Sequence, residues 1–177
     1  MKVDGFIDDN EEIKSILGYS VSKVPLSKID GLVITVGNNR IRKIIAERYN
    51  ETEMLTLVHP NATISWRAGL GEGSVVMAGV VVNSSAEIGK HVILNTNCSI
   101  DHDCVIEDYV HISPNATLAG DVTVGEGTHI GAGATIIQGV KVGKWSILGA
   151  GAVLLKDLPD GVVAVGNPAR VIRQNKP

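Results

Sequence analysis

Residues 100–124 read IDHDCVIEDYVHISPNATLAGDVTV, and in them an aliphatic side chain returns every six positions, at Ile100, Ile106, Ile112, Leu118 and Val124. Outward from this stretch the same spacing runs unbroken back to Ile64 and forward to Leu154, sixteen hexads in all. Four residues after each aliphatic comes a small or β-branched side chain, among them Ala86, Cys98, Cys104, Ala116 and Ala134. The period is neither 3.6 nor 2, so amphipathic helices and simple alternating strands both fail. Six residues suit a short strand followed by a sharp corner, and glycine, 20 of 177 residues, is dense at the corners. Three such sides close a triangular coil. Successive 18-residue coils then stack as parallel strands with the aliphatic residues inside. About five coils are expected, a column roughly 24 Å tall at the spacing of β-strands.

Composition agrees. The chain is 44% apolar with only six aromatics (two Trp, three Tyr, one Phe), so its core must be aliphatic. Sixteen Lys and Arg against 19 Asp and Glu give a net charge of −3, and no basic cluster exceeds two residues, which argues against nucleic acid or an anionic membrane as partner. Acids stand where a signal peptide needs its apolar core, and no apolar run reaches bilayer length. A soluble, cytoplasmic protein is expected. Cys98 and Cys104 take the inward small position of successive hexads and are expected as buried free thiols.

Residues 1–57 break the six-residue rule. Lys2–Ile7 reads as a strand, Gly31–Val36 as a buried strand closing on Gly37-Asn38-Asn39, and Arg40–Tyr49 as a helix with Ile41, Ile44 and Ile45 on one face. Such a unit suits a small α/β domain with ligand groups at the carboxyl ends of its strands. Two domains are expected, 1–57 and 58–177.

The chemistry centres on histidine. The spacings of His59, His91, His102, His111 and His129 contain no His-x4-His pair of the kind a zinc-dependent β-helix needs, and no metal is expected. His102 lies two residues after inward Ile100, at a corner, between Asp101 and Asp103. An imidazole there can strip a proton from an attacking amine or hydroxyl, with a carboxylate to fix its tautomer. It can equally be a solvated corner histidine in an acidic stretch. Stacking by 18 aligns His111, His129 and Ile147 in one column and Pro114, Ala132 and Ala150 in another, the latter with almost no side-chain bulk.

The pattern [Leu/Ile/Val]-[Gly/Ala/Glu/Asp]-x-x-[small]-x resembles the hexapeptide-repeat acyltransferases over about residues 58 to 173. That resemblance implies a left-handed parallel β-helix, whereas the general rule for parallel crossovers gives the opposite hand. Phe6-Ile7-Asp8-Asp9, Val36-Gly37-Asn38-Asn39, Leu94-Asn95-Thr96, Asp101-His102-Asp103-Cys104 and Val165-Gly166-Asn167-Pro168-Ala169-Arg170 narrow it. They resemble the branch of bacterial nucleotide-amino-sugar N-acetyltransferases and sialic acid O-acetyltransferases, which carries a small Rossmann-like domain before the β-helix. In that branch a glycine-rich βα unit comes first; this sequence starts at what would be the second strand, so the domain reads as truncated and the amides that would cradle a pyrophosphate are missing.

The resemblance implies His102 as catalytic base and Asp103 as its helper. It implies Asp8, Asp9, Gly37, Asn38 and Asn39 as sugar-nucleotide contacts and Asn95 as a residue holding the acceptor. His111, Gly120, Ala132 and Ala150 would contact acetyl-CoA, the cosubstrate, in a groove between subunits of a homotrimer, with His129 on the groove wall. Arg170 and Arg173 could meet its phosphates or be solvated terminal charges. The small corner residues could instead serve only to let the chain turn, and the Asp and Asn residues could serve only as turn formers. The function expected is acetyl-CoA-dependent N-acetylation of an amino sugar, nucleotide-linked and of the UDP-4-amino type, in glycan biosynthesis. O-acetylation of a sialic acid hydroxyl and a non-catalytic β-helix scaffold are the alternatives.

Overall fold

The computed structural model describes residues 3–24 and 30–176, and the chain divides into two compact units, Met1–Gly31 and Leu32–Pro177. The first holds three short strands. Phe6–Ile7 runs parallel to Tyr19–Ser22, which pairs antiparallel with Ser15–Ile16 across a turn at Leu17 and Gly18, both at positive φ.

In the second unit the hexads form a left-handed parallel β-helix. From Leu57 to Leu154 every strand partner lies 18 residues away: Ile93 faces Val75 and His111, Ser99 faces Val81 and Thr117, Val105 faces Glu87 and Thr123. The first face begins with Leu57–Val58 and ends with Val162–Val165, seven parallel strands, onto which Arg170–Gln174 folds antiparallel; the second face has six strands and the third five. The stack is therefore taller than the five coils expected. Leu57–Val58 precedes the first hexad counted, and Val162–Val165 follows a segment, 155–161, that leaves the six-residue period yet still sets Leu158 beside Val142.

The reason for the hexad is visible inside. Ile100, Ile112, Leu118, Ile130, Ile136 and Leu148 are wholly buried, each worth about 1.5–3 kcal/mol of transfer free energy. Cys98 and Cys104 are buried and free, and burial pushes the Cys98 thiol up to about 12. Where the small inward position carries a hydroxyl, it is satisfied: Ser74 Oγ donates to the Gly89 carbonyl at 2.8 Å and accepts from the Val92 amide at 2.9 Å, tying one coil to the next. The corners repeat too. From Gly73 to Gly151 every sixth residue has positive φ, among them His91, Asn97, Asp103, Tyr109, Asp121 and Trp145.

Helix α1, Asn39–Arg48, packs on this column, capped by Asn38, whose side chain accepts from the Arg40 and Ile41 amides. The face it buries is not that of Ile41, Ile44 and Ile45: Asn39, Arg42 and Ala46 are buried, whereas Ile41 and Ile44 are exposed and Ile45 is half-buried. Backbone carbonyls at the corner explain this. Arg42 Nε donates to the His91 carbonyl at 2.8 Å and Nη2 to that of Tyr109 at 2.6 Å, one coil further on; Asn39 Nδ2 donates to that of Gly127 at 3.0 Å, the next coil again. Burial without a carboxylate partner lowers the Arg42 pKa to about 10. Above these carbonyls the positive-φ side chains form a ladder, His91 stacked on Tyr109 at 5.3 Å, a gap at Gly127, then Trp145; Arg40 lies 4.7 Å over the Trp145 ring and Lys43 5.5 Å from that of Tyr109.

The described residues of 1–57 do not form the Rossmann-like fold the resemblance implied. Of the strand expected at Lys2–Ile7 only Phe6–Ile7 forms, Lys2 lying outside the described residues, and of Gly31–Val36 only Leu32 is bridged, to Met54. The unit boundary at 31/32 falls inside the segment expected as one domain, because α1 is bonded to the coils.

Candidate active site

Three edges separate the faces. The edge between the second and third faces carries Ser84, His102, Gly120 and Gln138 in one column, by the 18-residue register. His102 Nδ1 lies 2.8 Å from Asp103 Oδ2, and both side chains are well exposed. Asp103 sits at a positive-φ corner, where Asp is tolerated, so the backbone aims its carboxylate back at the preceding ring. The His102 amide donates to Asp101 Oδ1 at 2.8 Å, and Asn83 Nδ2 donates to the same oxygen from the coil before. The hydrogen bond to Asp103, then the charge of Asp101, raises the His102 pKa above its ordinary value. With Nδ1–H directed at Asp103, the lone pair on Nε2 is the group available to an acceptor. The imidazole lies on Gly120: a Cβ there would stand 2.5 Å from Cε1 and 2.6 Å from Nε2. Gly120 thus forms the surface under the ring.

A second constellation stands on the first face and its edge with the second. His111 and His129 stack at 4.7 Å with planes 6° apart. Thr96 N–H donates to Asn95 Oδ1 at 2.8 Å, which fixes that amide and turns Nδ2 toward His111 Nε2, 3.3 Å away. One coil on, Ser113 Oγ lies 2.7 Å from His129 Nε2. Burial first, then His129 and Arg42, pushes the His111 pKa down to about 4, while the Gly37 backbone beside it works the other way; burial and Arg42 lower that of His129. Both rings are neutral at physiological pH.

Asn95, His111, His129 and Gly37 are therefore brought together, as is His102 with Asp103 and Gly120. Pro114, Ala132 and Ala150 share the edge between the first and second faces, and the two alanines are exposed. The second face separates that edge from His102. Asn38 and Asn39 are engaged elsewhere, as the helix cap and as a bridge to coil carbonyls, where Asn39 Oδ1 also accepts from Arg42 Nη2 at 2.9 Å. Asp8 belongs to the first unit and accepts from the Asn10 amide, a turn bond at 2.8 Å; Asp9 follows it. Arg170 and Arg173 are exposed on the last strand, each donating to a neighbouring carbonyl. Arg42 was missed by sequence reasoning, since its partners are backbone groups 49 and 67 residues away. Among the described residues no group of three or more His, Cys, Asp or Glu is placed to hold a metal, and no helix is long and apolar enough to cross a membrane.

The family model for the bacterial transferase hexapeptide (six repeats) matches residues 85–120, 103–138 and 121–156. The chain is 39% identical to the acetyltransferase domain of PglB from Neisseria gonorrhoeae FA1090, with a TM-score of 0.89 over 95% of this chain and 86% of that one. That domain has also been solved in complex with acetyl coenzyme A. A variant of perosamine N-acetyltransferase from Caulobacter crescentus, in complex with CoA and GDP-perosamine, is 39% identical with a TM-score of 0.80 over 81% of this chain and 70% of that one. UDP-N-acetylbacillosamine N-acetyltransferase of Bacillus subtilis (strain 168) is 49% identical over 48 residues, which is 26% of this chain and 22% of that protein's length.

Proposed function

Because the chain belongs to the bacterial hexapeptide-repeat transferases, we propose that it moves the acetyl group of acetyl-CoA to the amine of a nucleotide-linked amino sugar, with His102 as general base. The observation that carries this is the His102–Asp103 pair on an open prism edge. Asp103 accepts the Nδ1 proton and holds the tautomer. Nε2 takes the proton of the amine as its nitrogen attacks the thioester carbon. When the C–S bond breaks, the CoA sulfur leaves and receives that proton from the imidazolium.

The small-residue edge fits the donor. At Ala132 and Ala150 nothing projects beyond Cβ, so a thin pantetheine arm can lie along the prism. That edge and His102 are divided by the width of one face, and a second copy set beside the first would bring its alanine edge to this chain's His102. A homotrimer with grooves between prisms follows as part of the proposal, since closed rotational symmetry gives every copy the same groove. Light scattering that found an active monomer at micromolar concentration would end the shared-groove reading. The activity itself is tested by release of free CoA thiol from acetyl-CoA in the presence of UDP- or GDP-linked 4-amino sugars. Turnover that is lost in His102→Ala supports the proposal; turnover that survives it refutes the assignment.

A further inference from the structure

Arg42 is only 1% exposed, and the chemistry proposed above makes no use of it. Its guanidinium serves two structures at once. Nε donates to the His91 carbonyl at 2.8 Å and Nη2 to those of Tyr109 and Val110 at 2.6 and 3.4 Å, which with Asn39 berths α1 on the coils. Nη1 serves chain outside the helix, donating to the carbonyls of Val36 at 3.0 Å and Gly37 at 3.4 Å. Those two bonds add nothing to the helix, whose first amides Asn38 already caps. They hold the loop that precedes it.

Tyr109 and Val110 lead directly into His111. One planar group therefore grips the Gly37 loop through one nitrogen and the backbone entering His111 through another, and the spacing between them is the width of a guanidinium. The His111 ring has a polar group left over on this side. Asn95 turns Nδ2 toward Nε2, so the ring proton belongs on Nδ1, which is buried without a hydrogen-bond partner among the described residues, the Gly37 backbone beside it. Asn95 and Ser113 stand in the column next to that of Pro114, Ala132 and Ala150, where the pantetheine arm was placed, and Gly37 is exposed. An acceptor reaching the thioester from the first face passes between the Gly37 loop and the Asn95–His111 pair.

We propose that Arg42 is a positioning residue for the acceptor: it sets the distance of the Gly37 loop from His111, and so the width of the passage by which the amino sugar meets the donor. This inference rests on the acetyl transfer proposed above. The charge of Arg42 has a further effect. The stacked rings of His111 and His129 are faced by each other, by Arg42 from α1 and by the uncharged Asn95 and Ser113. Burial and the Arg42 charge keep both rings neutral, which leaves His111 in the single tautomer that Asn95 selects.

The test uses the full chain with two variants. Arg42→Lys keeps a cation and loses the planar fork; Arg42→Gln loses the charge as well. In both, the KM for UDP- or GDP-linked amino sugar rises about tenfold or more, the worth of one charged hydrogen bond. The KM for acetyl-CoA and kcat change little, because the alanine edge and His102 are untouched. NMR of the imidazole C–H signals gives a readout independent of turnover: in Arg42→Gln the midpoint of His111 moves up from about 4, and in Arg42→Lys it stays low.

A sugar KM unchanged in Arg42→Lys overturns the positioning role. So does a loss that falls equally on both substrates, which would mean a general loosening of the fold, and melting of each variant is followed alongside. Should Arg42→Gln be unfolded at the assay temperature, Arg42→Lys decides by the ratio of the two KM changes. If the natural protein acetylates no nucleotide-linked amino sugar, the proposed activity fails, and the NMR midpoints decide by themselves: a His111 midpoint unmoved in folded Arg42→Gln removes Arg42 from the pair.

Discussion

Replacing Gly120 with alanine should disable the base without disturbing the fold. The new Cβ would stand 2.5 Å from His102 Cε1, whereas ordinary carbon contacts lie at about 3.5–4.0 Å. One group must retreat by about 1 Å. Gly120 belongs to the coil backbone, while the imidazole is an exposed side chain, so the ring gives way and its 2.8 Å bond to Asp103 is pulled out of line. Displacement of a reacting group by about 1 Å costs about 10² in rate, or about 2.7 kcal/mol of transition-state stabilisation. Gly120 is not among the corners at positive φ, so alanine brings no backbone strain, and stability should move by less than about 1 kcal/mol. The assay is kcat from CoA thiol release, with thermal melting alongside. A double-mutant cycle sharpens it: on a His102→Ala background there is no ring to push, and Gly120→Ala should cost nothing further. A kcat within threefold of the natural protein would refute the reasoning. So would a second hundredfold loss on the His102→Ala background, since the methyl would then be acting on something other than the base.

His102→Ala should itself lower kcat by about 10²–10⁴ with acetyl-CoA affinity nearly unchanged. Asp103→Asn should cost less, and it should move the pH profile: the base works neutral, and Asp103 holds its pKa above the ordinary value. The rate therefore falls as pH drops through that raised pKa, and removing the carboxylate charge shifts this acid limb to lower pH; a limb that stays in place would dissociate Asp103 from the base. Ala132→Leu should raise the KM for acetyl-CoA at least tenfold, about 1.4 kcal/mol, with melting unchanged because the position is exposed; normal affinity would remove the donor from that edge. Arg42→Met should strip donors from the carbonyls of Val36, His91 and Tyr109 and cost about 3 kcal/mol in urea unfolding, and a loss under about 1 kcal/mol would show that the staple matters little.

The prism was legible because a six-residue period admits few solutions, and the 18-residue arithmetic that aligned His111 with His129 reappears as a stacked pair at 4.7 Å. The corner code was equally available: Gly, Asn or Asp at 73, 79, 97, 103, 115 and 121 marks the positive-φ residue of each turn, and it explains why Asp follows His102. Contacts with backbone groups were not legible. Nothing in the sequence around Asn39 and Arg42 shows that they reach carbonyls of distant coils, so the shared face of Ile41, Ile44 and Ile45 did not reveal that a polar side of α1 is the buried one. The run Gly31–Val36 reads as a strand because apolar extended chain and paired strand share one composition, and only a partner distinguishes them.

The docking of α1 raises a problem of uniqueness. A stack of equal coils offers the same carbonyl every 4.8 Å or so, and the pitch of a helix is about 5.4 Å. A helix held only by donors to those carbonyls would find nearly equivalent berths one storey up or down. The column of Gly73, His91, Tyr109, Gly127 and Trp145 lessens that ambiguity because its rungs differ, and Asn39 donates to the carbonyl of Gly127, the rung without a side chain between Tyr109 and Trp145. Trp145 also lies against Gly127, where a Cβ would come within 2.3 Å of its ring, so a side chain on that rung would displace the indole on which Arg40 of the helix rests. The order of unlike rungs is the address: it tells a repetitive surface which of its storeys the helix, and with it the Gly37 loop beside His111, belongs to.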